Sequence, residues 1–83
     1  MKTKAYANVF KQAEGHSASK AYLEDARARI RLAEALYHER SVMSLTMAEL
    51  AKKAGTTPAV ISRIENAQVS AGIDLISKIF RAL

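Results

Sequence analysis

Few side chains of this chain stand at spacings that could support catalysis. The sequence contains two histidines, His16 and His38, and no cysteine. Neither histidine belongs to an HExxH pattern or has a carboxylate at metal-ligand spacing. Glycine-rich phosphate loops and nucleophile motifs are also missing. We therefore expect no enzymatic activity, no cofactor and no metal site, and we expect satisfied or exposed histidines.

The chemistry that the sequence does offer is hydrogen bonding and charge on one side of residues 57–66. At helical spacing Ile61 and Ile64 face inward. This leaves an outer side made of Ala59, Ser62, Arg63 and Asn66. Arg63 is the only long hydrogen-bond donor among them, so this side is suited to a polar or anionic partner.

Two short helices joined by a tight turn would position this face. Thr46 and Glu49 form a capping box, because the threonine oxygen and the glutamate carboxylate satisfy amides left open at a helix start. A helix is therefore expected from Met47. Gly55 can adopt the left-handed conformation that ends it. A second helix should follow within three residues, with Thr57 as its N-cap.

Hydrophobic periodicity predicts three further helices. The first is short and ends at Gly15. The second runs from about Ser19 to Arg40, and its apolar positions recur at intervals of three and four: Leu23, Ala26, Ile30, Ala33 and Tyr37. Leu32 and Leu36 widen the stripe that these positions form. The third begins after Gly72, and its apolar positions are Ile73, Ile76, Ile79, Phe80 and Leu83.

Composition favours one small domain with an anionic partner. The 83 residues are 49% hydrophobic and carry a net charge of +5. Nucleic acid is the commonest partner of such a basic domain, and dimerisation would add burial to its small core. Without cysteines the chain cannot form disulfides, which fits a reducing cytoplasm. No apolar run reaches the roughly 18 residues of a membrane span, so we expect a cytoplasmic protein without membrane contact.

The capping signals alone would also fit a helical hairpin in any small all-α domain. The full pattern, LTxxELAxxxG followed by ISRIEN over residues 45–66, resembles the helix-turn-helix of the phage Cro and cI repressors and of the wider XRE family of transcriptional regulators. The resemblance extends to Leu83 and back to about Ala21. It implies an all-α, lambda-repressor-like bundle of four to five helices. Residues 1–20 would then be an N-terminal helical extension, and residues 21–83 the DNA-binding domain.

In the XRE family the second helix of the pair lies in the DNA major groove, so the resemblance implies that Thr57–Asn66 reads double-stranded DNA. Arg63 could make two hydrogen bonds to guanine O6 and N7. It could also contact a phosphate or remain a solvated surface arginine. Ala59 and Val60 offer only apolar contact, for which the thymine methyl group is the available partner, although Val60 could equally be half core.

Four short polar side chains complete the implied contact set. Thr57, Ser62 and Asn66 could reach phosphates or base edges, and Thr46 could present its hydroxyl and nearby amides to a phosphate. Structural capping explains both threonines equally well.

The chain departs from the family pattern at three positions. Met47 replaces a glutamine that contacts phosphate, and Pro58 replaces a glutamine that reads a base. Sequence recognition would therefore depend mainly on Arg63 and on the shape of the DNA. Ala67 replaces a glycine, which costs on the order of 1 kcal/mol if a positive φ is required there.

The resemblance also implies a structural ion pair. Family members pair a glutamate at the position of Glu65 with an arginine on the first core helix, and Arg40 stands at the matching position. A partly buried charge needs such a partner.

Two functions fit this domain. The first is a homodimeric repressor that contacts a pseudo-palindromic operator and dimerises through the helix after Gly72. The second is an antitoxin that binds its toxin and represses its own operon, because a leading helix followed by YLEDARARIRLAEAL and an XRE motif resembles the HigA-type antitoxins. Residues 1 to about 32 would then contact the toxin, or would simply cover the core. A third interpretation, an RNA-binding or purely structural bundle, predicts binding that is insensitive to Arg63.

Overall fold

The computed structural model describes residues 20–83. These residues form four helices and no strand: α1 (Lys20–Val42), α2 (Met47–Ala54), α3 (Pro58–Glu65) and α4 (Ile73–Ala82). This confirms the all-α helix-turn-helix bundle predicted from the sequence. The predicted N-terminal extension, residues 1–20, lies outside the described residues except for Lys20.

The long helix α1 is 23 residues long and ends two residues later than predicted. Its buried side contains Ala26, Ile30, Ala33 and Leu36. The prediction that Tyr37 continues this side is wrong, because Tyr37 is 42% exposed. Leu36, which was predicted to widen the stripe, is fully buried. The reason is that the two ends of α1 face different neighbours. The earlier residues pack against Ala67, whereas Leu36 joins the main core.

The main core is aliphatic and is shared by all four helices. Its buried members are Leu36, Leu50, Ala51, Ala54, Ile61, Ile64 and Ile79. Helix α4 contributes only Ile79 as a buried residue, and Ile73, predicted to lie on its apolar side, is 75% exposed. Burying branched aliphatic side chains contributes roughly 1.5–3 kcal/mol each, so this cluster supplies most of what holds the short helices together.

The ends of α2 and the start of α3 follow the predicted signals. Gly55 has a φ of 72°, and the amide of the next residue, Thr56, donates to the carbonyl of Ala51 at 2.9 Å. Helix α3 begins at Pro58, and the hydroxyl of its N-cap, Thr57, accepts a hydrogen bond from the third helical amide. The turn between the two helices is therefore fixed by backbone geometry as well as by side chains.

Ala67 ends α3 in a left-handed conformation. Its φ is 57°, and the family has glycine at this position. The left-handed conformation costs an L-residue roughly 1–2 kcal/mol. Ala67 is also fully buried and packs against Ala26, Ile30 and Ala33 of α1. Burial of its methyl group returns about 0.8 kcal/mol, so packing offsets part of the backbone cost.

The described part of the chain contains no helix that could span a membrane. Among residues 20–83 no helix combines the length and the apolar run that a bilayer span requires.

The same substitution at two glycines should have opposite effects on stability. A Cβ atom at Gly55 or Gly72 would meet nothing within 4 Å, so only backbone and capping terms differ. Gly55→Ser should lower the free energy of unfolding by about 1–2 kcal/mol, because φ is positive there. Gly72→Ser should raise it by about 0.5 kcal/mol, because Gly72 is an N-cap of ordinary φ without a side-chain cap.

Urea unfolding followed by circular dichroism measures both values. Equal effects of the two substitutions would contradict the assignment of Gly55 as a conformational requirement.

Candidate nucleic-acid interface

The start of α2 presents open backbone amides. The Thr46 hydroxyl accepts a hydrogen bond from the Glu49 amide at 3.0 Å, and the Glu49 carboxylate accepts one from the Thr46 amide at 2.8 Å. The amides of Met47 and Ala48, at the first two helical positions, have no carbonyl to bond within the helix. Together with the positive end of the helix dipole, they could hold a phosphate.

Met47 contributes to this end only through packing. Its side chain is half-buried and contacts the main core. The residue that replaces the family glutamine therefore makes the core larger, and it leaves any phosphate contact at this end to the backbone and to Thr46.

The capping box of α2 depends on an ionised Glu49. Hydrogen bonds from the Thr46 amide and then from the Thr46 side chain hold the pKa of the Glu49 carboxyl below its ordinary value near 4.5. The carboxylate is therefore charged at neutral pH, and the cap is fully formed there.

The predicted contact residues of α3 differ in exposure. Thr57, Ala59 and Arg63 are exposed, whereas Val60, Ser62 and Asn66 are half-buried. Val60 packs against the main core, so its side chain serves the core as well as the surface. The side-chain amide of Asn66 donates to the Ser62 hydroxyl at 3.3 Å, which ties these two polar groups together.

Arg63 is the long donor that remains available on this face. Among residues 20–83 the ion pairs are those of Arg29 with Asp25 and of Arg40 with Glu65. The guanidinium of Arg63 belongs to neither, so it can donate to a partner molecule without giving up an internal ion pair.

A bidentate ion pair joins α1 to the end of α3, as predicted. Arg40 Nε and Nη2 donate to the two carboxylate oxygens of Glu65 at 2.6 and 2.8 Å. The side chains are 14% and 4% exposed, respectively. Hydrogen bonding to Glu65 raises the pKa of Arg40 above its high ordinary value, although burial acts against it. The Arg40 guanidinium is therefore charged at any pH that DNA tolerates.

The same arginine also fixes the loop before α2. Arg40 Nη1 donates to the carbonyl of Leu45 at 2.8 Å, and Leu45 directly precedes the N-cap Thr46. One guanidinium thereby connects α1, the end of α3 and the start of α2. It holds the two candidate DNA-contacting elements, the α2 start and α3, in one arrangement.

Gln68 is a further candidate contact residue, which was not predicted from the sequence. It is exposed, and its main-chain amide donates to the carbonyl of Arg63 at 2.9 Å. Gln68 thus directly follows the left-handed residue Ala67 that ends α3, and its side chain is open to solvent. The signal in the sequence was an amide side chain directly after the turn that ends this helix.

Two open depressions lie away from this face. One, of about 190 Å³, lies beside α1 and is lined by Ala28, Arg29, Leu32, Ser70, Ala71 and Ile76. The other, of about 300 Å³, lies between α2 and α4 and is lined by Lys53, Ala54, Lys78, Arg81 and Ala82. Neither is lined by a residue of α3. Within residues 20–83, no cluster of histidine and carboxylate side chains could hold a metal ion.

Comparison with known proteins gives one match. Residues 43–83 match the family model described as "Helix-turn-helix". The matched range contains α2, α3, α4 and every contact residue predicted from the sequence. No curated protein and no solved structure matches the chain significantly.

Replacing one partner of the Arg40–Glu65 ion pair should destabilise the fold more than replacing both partners. Glu65→Leu leaves the Arg40 guanidinium buried without its partner and should cost about 3–5 kcal/mol of unfolding free energy. The double variant Arg40→Met/Glu65→Leu should cost less than either single change. Urea unfolding of Arg40→Met, Glu65→Leu and the double variant measures the coupling free energy between the two side chains. Strictly additive costs would show that the two side chains do not stabilise each other.

The more exposed pair provides the control for this measurement. Asp25 is 53% exposed where it pairs with Arg29. Its partner Arg29 is only 15% exposed, and Asp25 also accepts a hydrogen bond from the Ser70 hydroxyl at 3.0 Å. Asp25→Ala should therefore cost about 1 kcal/mol, which is still well below the cost of Glu65→Leu.

The contribution of the α2 cap to stability should depend on pH. A lowered folded-state pKa means that Glu49 stabilises the fold above the unfolded-state value, and that this stabilisation is lost as pH falls through the lower folded-state value. Glu49→Gln keeps a capping side chain without the charge. The Tm difference between wild type and this variant should be constant above about pH 6 and shrink toward about pH 3. A difference that stays flat or grows in acid would show that Glu49 is not a charged cap.

Proposed function

Because residues 43–83 make this chain a member of the XRE family of helix-turn-helix DNA-binding regulators, we propose that it acts as a transcriptional repressor. The repressor is a homodimer on a pseudo-palindromic operator, and it blocks transcription by occupying that operator. The observation that carries the proposal is the solvent-facing side of α3, where Arg63 is exposed and outside the internal ion pairs. The net charge of +5 adds attraction to DNA.

In this proposal α3 lies in the major groove. Arg63 donates two hydrogen bonds to a guanine, and Ala59 and Val60 contact thymine methyl groups. Thr57, Ser62 and Asn66 contact phosphates or nearby base edges. The support for this assignment is that these side chains share two turns of one helix and are exposed or half-buried.

The start of α2 holds the neighbouring phosphate. Thr46 is exposed there, and the open amides of Met47 and Ala48 point along the helix axis toward solvent. The Arg40–Glu65 pair supports this assignment, because it fixes the loop before Thr46 to the end of α3.

The dimer surface is formed by α4. Ile73 is 75% exposed, and Leu75, Ile76 and Phe80 on the same helix are half-buried. Covering the exposed isoleucine and the half-buried side chains beside it with a second copy would add apolar burial to a domain with a small core. A dimer through this helix would present two α3 helices to successive major grooves, about 34 Å apart.

Arg63→Ala should separate sequence recognition from general attraction to DNA. Fluorescence anisotropy would compare duplex DNA from upstream of the gene with a scrambled duplex at two salt concentrations. Wild type should prefer the upstream duplex at least ten-fold, and Arg63→Ala should lose about 1–3 kcal/mol of that preference while keeping salt-dependent binding.

Arg31→Ala is the matched control for this experiment. It removes the same charge from an exposed position of α1, so it should keep the preference. An equal loss of preference in both variants would contradict a reading role for Arg63.

The dimer is tested at Ile73. Ile73→Glu replaces an exposed side chain, so the monomer should fold, but light scattering should report a larger monomer fraction. Val42→Glu makes the same change at a residue that is 64% exposed outside α4, and its monomer fraction should match wild type. A monomeric wild type, or equal dissociation in both variants, would refute α4 as the dimer surface.

The alternative function is an antitoxin that also represses its own operon. One observation favours a protein partner beside α1. This helix is about 34 Å long, against about 12 Å for α2 or α3, and the apolar groove lined by Ala28, Leu32 and Ile76 runs beside it. A toxin seated on α1 would leave α3 free for DNA.

Co-expression with the product of the neighbouring gene distinguishes the two functions. For an antitoxin, Ala28→Glu should abolish growth rescue and keep DNA binding, and Arg63→Ala should do the reverse. Absence of any toxic neighbour would leave the dedicated repressor.

A further inference from the structure

The side chains in the first turn of α3 offer only carbon to a DNA groove, and the amide of Ala59, at the second helical position, is the one backbone donor left open there. Pro58 and Ala59 are exposed, and Val60 is half-buried. Proline has no N–H group. The amide of Val60 is already occupied, because it donates to the hydroxyl of Thr57 at 3.3 Å and to its carbonyl at 3.1 Å. No side chain in this turn after the N-cap can donate or accept a hydrogen bond.

This composition matters because of where the turn lies in a bound complex. Recognition helices of helix-turn-helix proteins place their N-terminal residues against the base edges. The only methyl group on the major-groove edge of a normal base pair is the C5-methyl group of thymine, whereas cytosine has only a hydrogen atom at that ring position. Against N7, O6 or an amino group, Pro58 and Ala59 would remove water without replacing its hydrogen bond, which is unfavourable.

We propose that the turn Pro58–Val60 is a sensor of C5-methyl groups in the major groove, so that DNA binding by this protein responds to cytosine methylation. Thymine carries the required methyl group in unmodified DNA. The methyl group of 5-methylcytosine occupies the same ring position and meets the same carbon surface. The inference deepens the proposed function and rests on it, since α3 must lie in the major groove.

The spacing along α3 sets where the methyl group lies relative to the guanine read by Arg63. Ala59 and Arg63 are four residues apart, which is one helical turn and about 6 Å of axial rise. Base pairs stack at about 3.4 Å. The methylated position is therefore about two base pairs from that guanine.

The experiment uses a duplex selected from a random library by the full-length protein. Each thymine is replaced in turn by deoxyuridine, which removes only the methyl group. One thymine per half-site, about two base pairs from a guanine, should give about three- to five-fold weaker binding when replaced, as expected for one buried methyl group. At that position a 5-methylcytosine–guanine pair should bind at least three-fold more tightly than an unmethylated cytosine–guanine pair.

A matched pair of variants tests whether Ala59 is the sensor. Ala59→Gln places an amide against the base edge, so it should remove the difference between thymine and deoxyuridine and favour adenine. Ala35→Gln makes the same change at an exposed position of α1 and should keep the methyl dependence of wild type. Both sites are exposed, and unfolding midpoints near that of wild type show that both variants fold.

The possible outcomes distinguish a failure of this inference from a failure of the proposed repressor function. Specific binding with every deoxyuridine duplex within 1.5-fold of the parent, and no effect of cytosine methylation, would overturn the sensor and leave the repressor in place. Failure to select any preferred duplex would overturn both. Methyl dependence that persists in Ala59→Gln would overturn the assignment to this turn.

Discussion

The arrangement of the candidate DNA interface depends on one buried ion pair. Arg40 donates to both carboxylate oxygens of Glu65 and, with its third nitrogen, to the carbonyl of Leu45. Helices α2 and α3 have only eight residues each and would be unstable alone. Aliphatic packing holds them in the bundle, but apolar contacts do not by themselves fix the relative orientation of the helices. The ion pair fixes that orientation, because a guanidinium donates hydrogen bonds to two carboxylate oxygens in one plane.

The second constraint is the shortage of hydrogen-bonding groups on α3. Ser62 and Asn66 are bonded to each other, and the first turn is apolar. In the proposed complex, this helix would recognise DNA through one long donor, Arg63, and through the shape of its carbon surface. Such a helix would make few direct contacts with each half-site. A second copy bound to the same operator would therefore multiply the modest sequence preference of one copy.

Local signals made most of the fold predictable from the sequence. The capping box at Thr46 and the turn at Gly55 each depend on residue types at fixed spacing, and the structure contains both. The pair Arg40–Glu65, which the structure also contains, joins residues far apart in sequence and was implied only by the family resemblance. The exposure of Tyr37 and Ile73 was not predictable, because it depends on which helix packs against each end of α1 and α4. The contact residues of α3 remain proposals, since exposure permits a contact without identifying its partner.

The central claim is that the start of α2 and the outer face of α3 form the DNA interface. Amide chemical shifts of the full chain, recorded during titration with a selected operator duplex, test it most directly. We expect the large shift changes to fall on residues 46–49 and 57–68, with the exposed side of α1 little changed. Changes centred on α1 and on the groove lined by Ala28, Leu32 and Ile76, with α3 unperturbed, would contradict it.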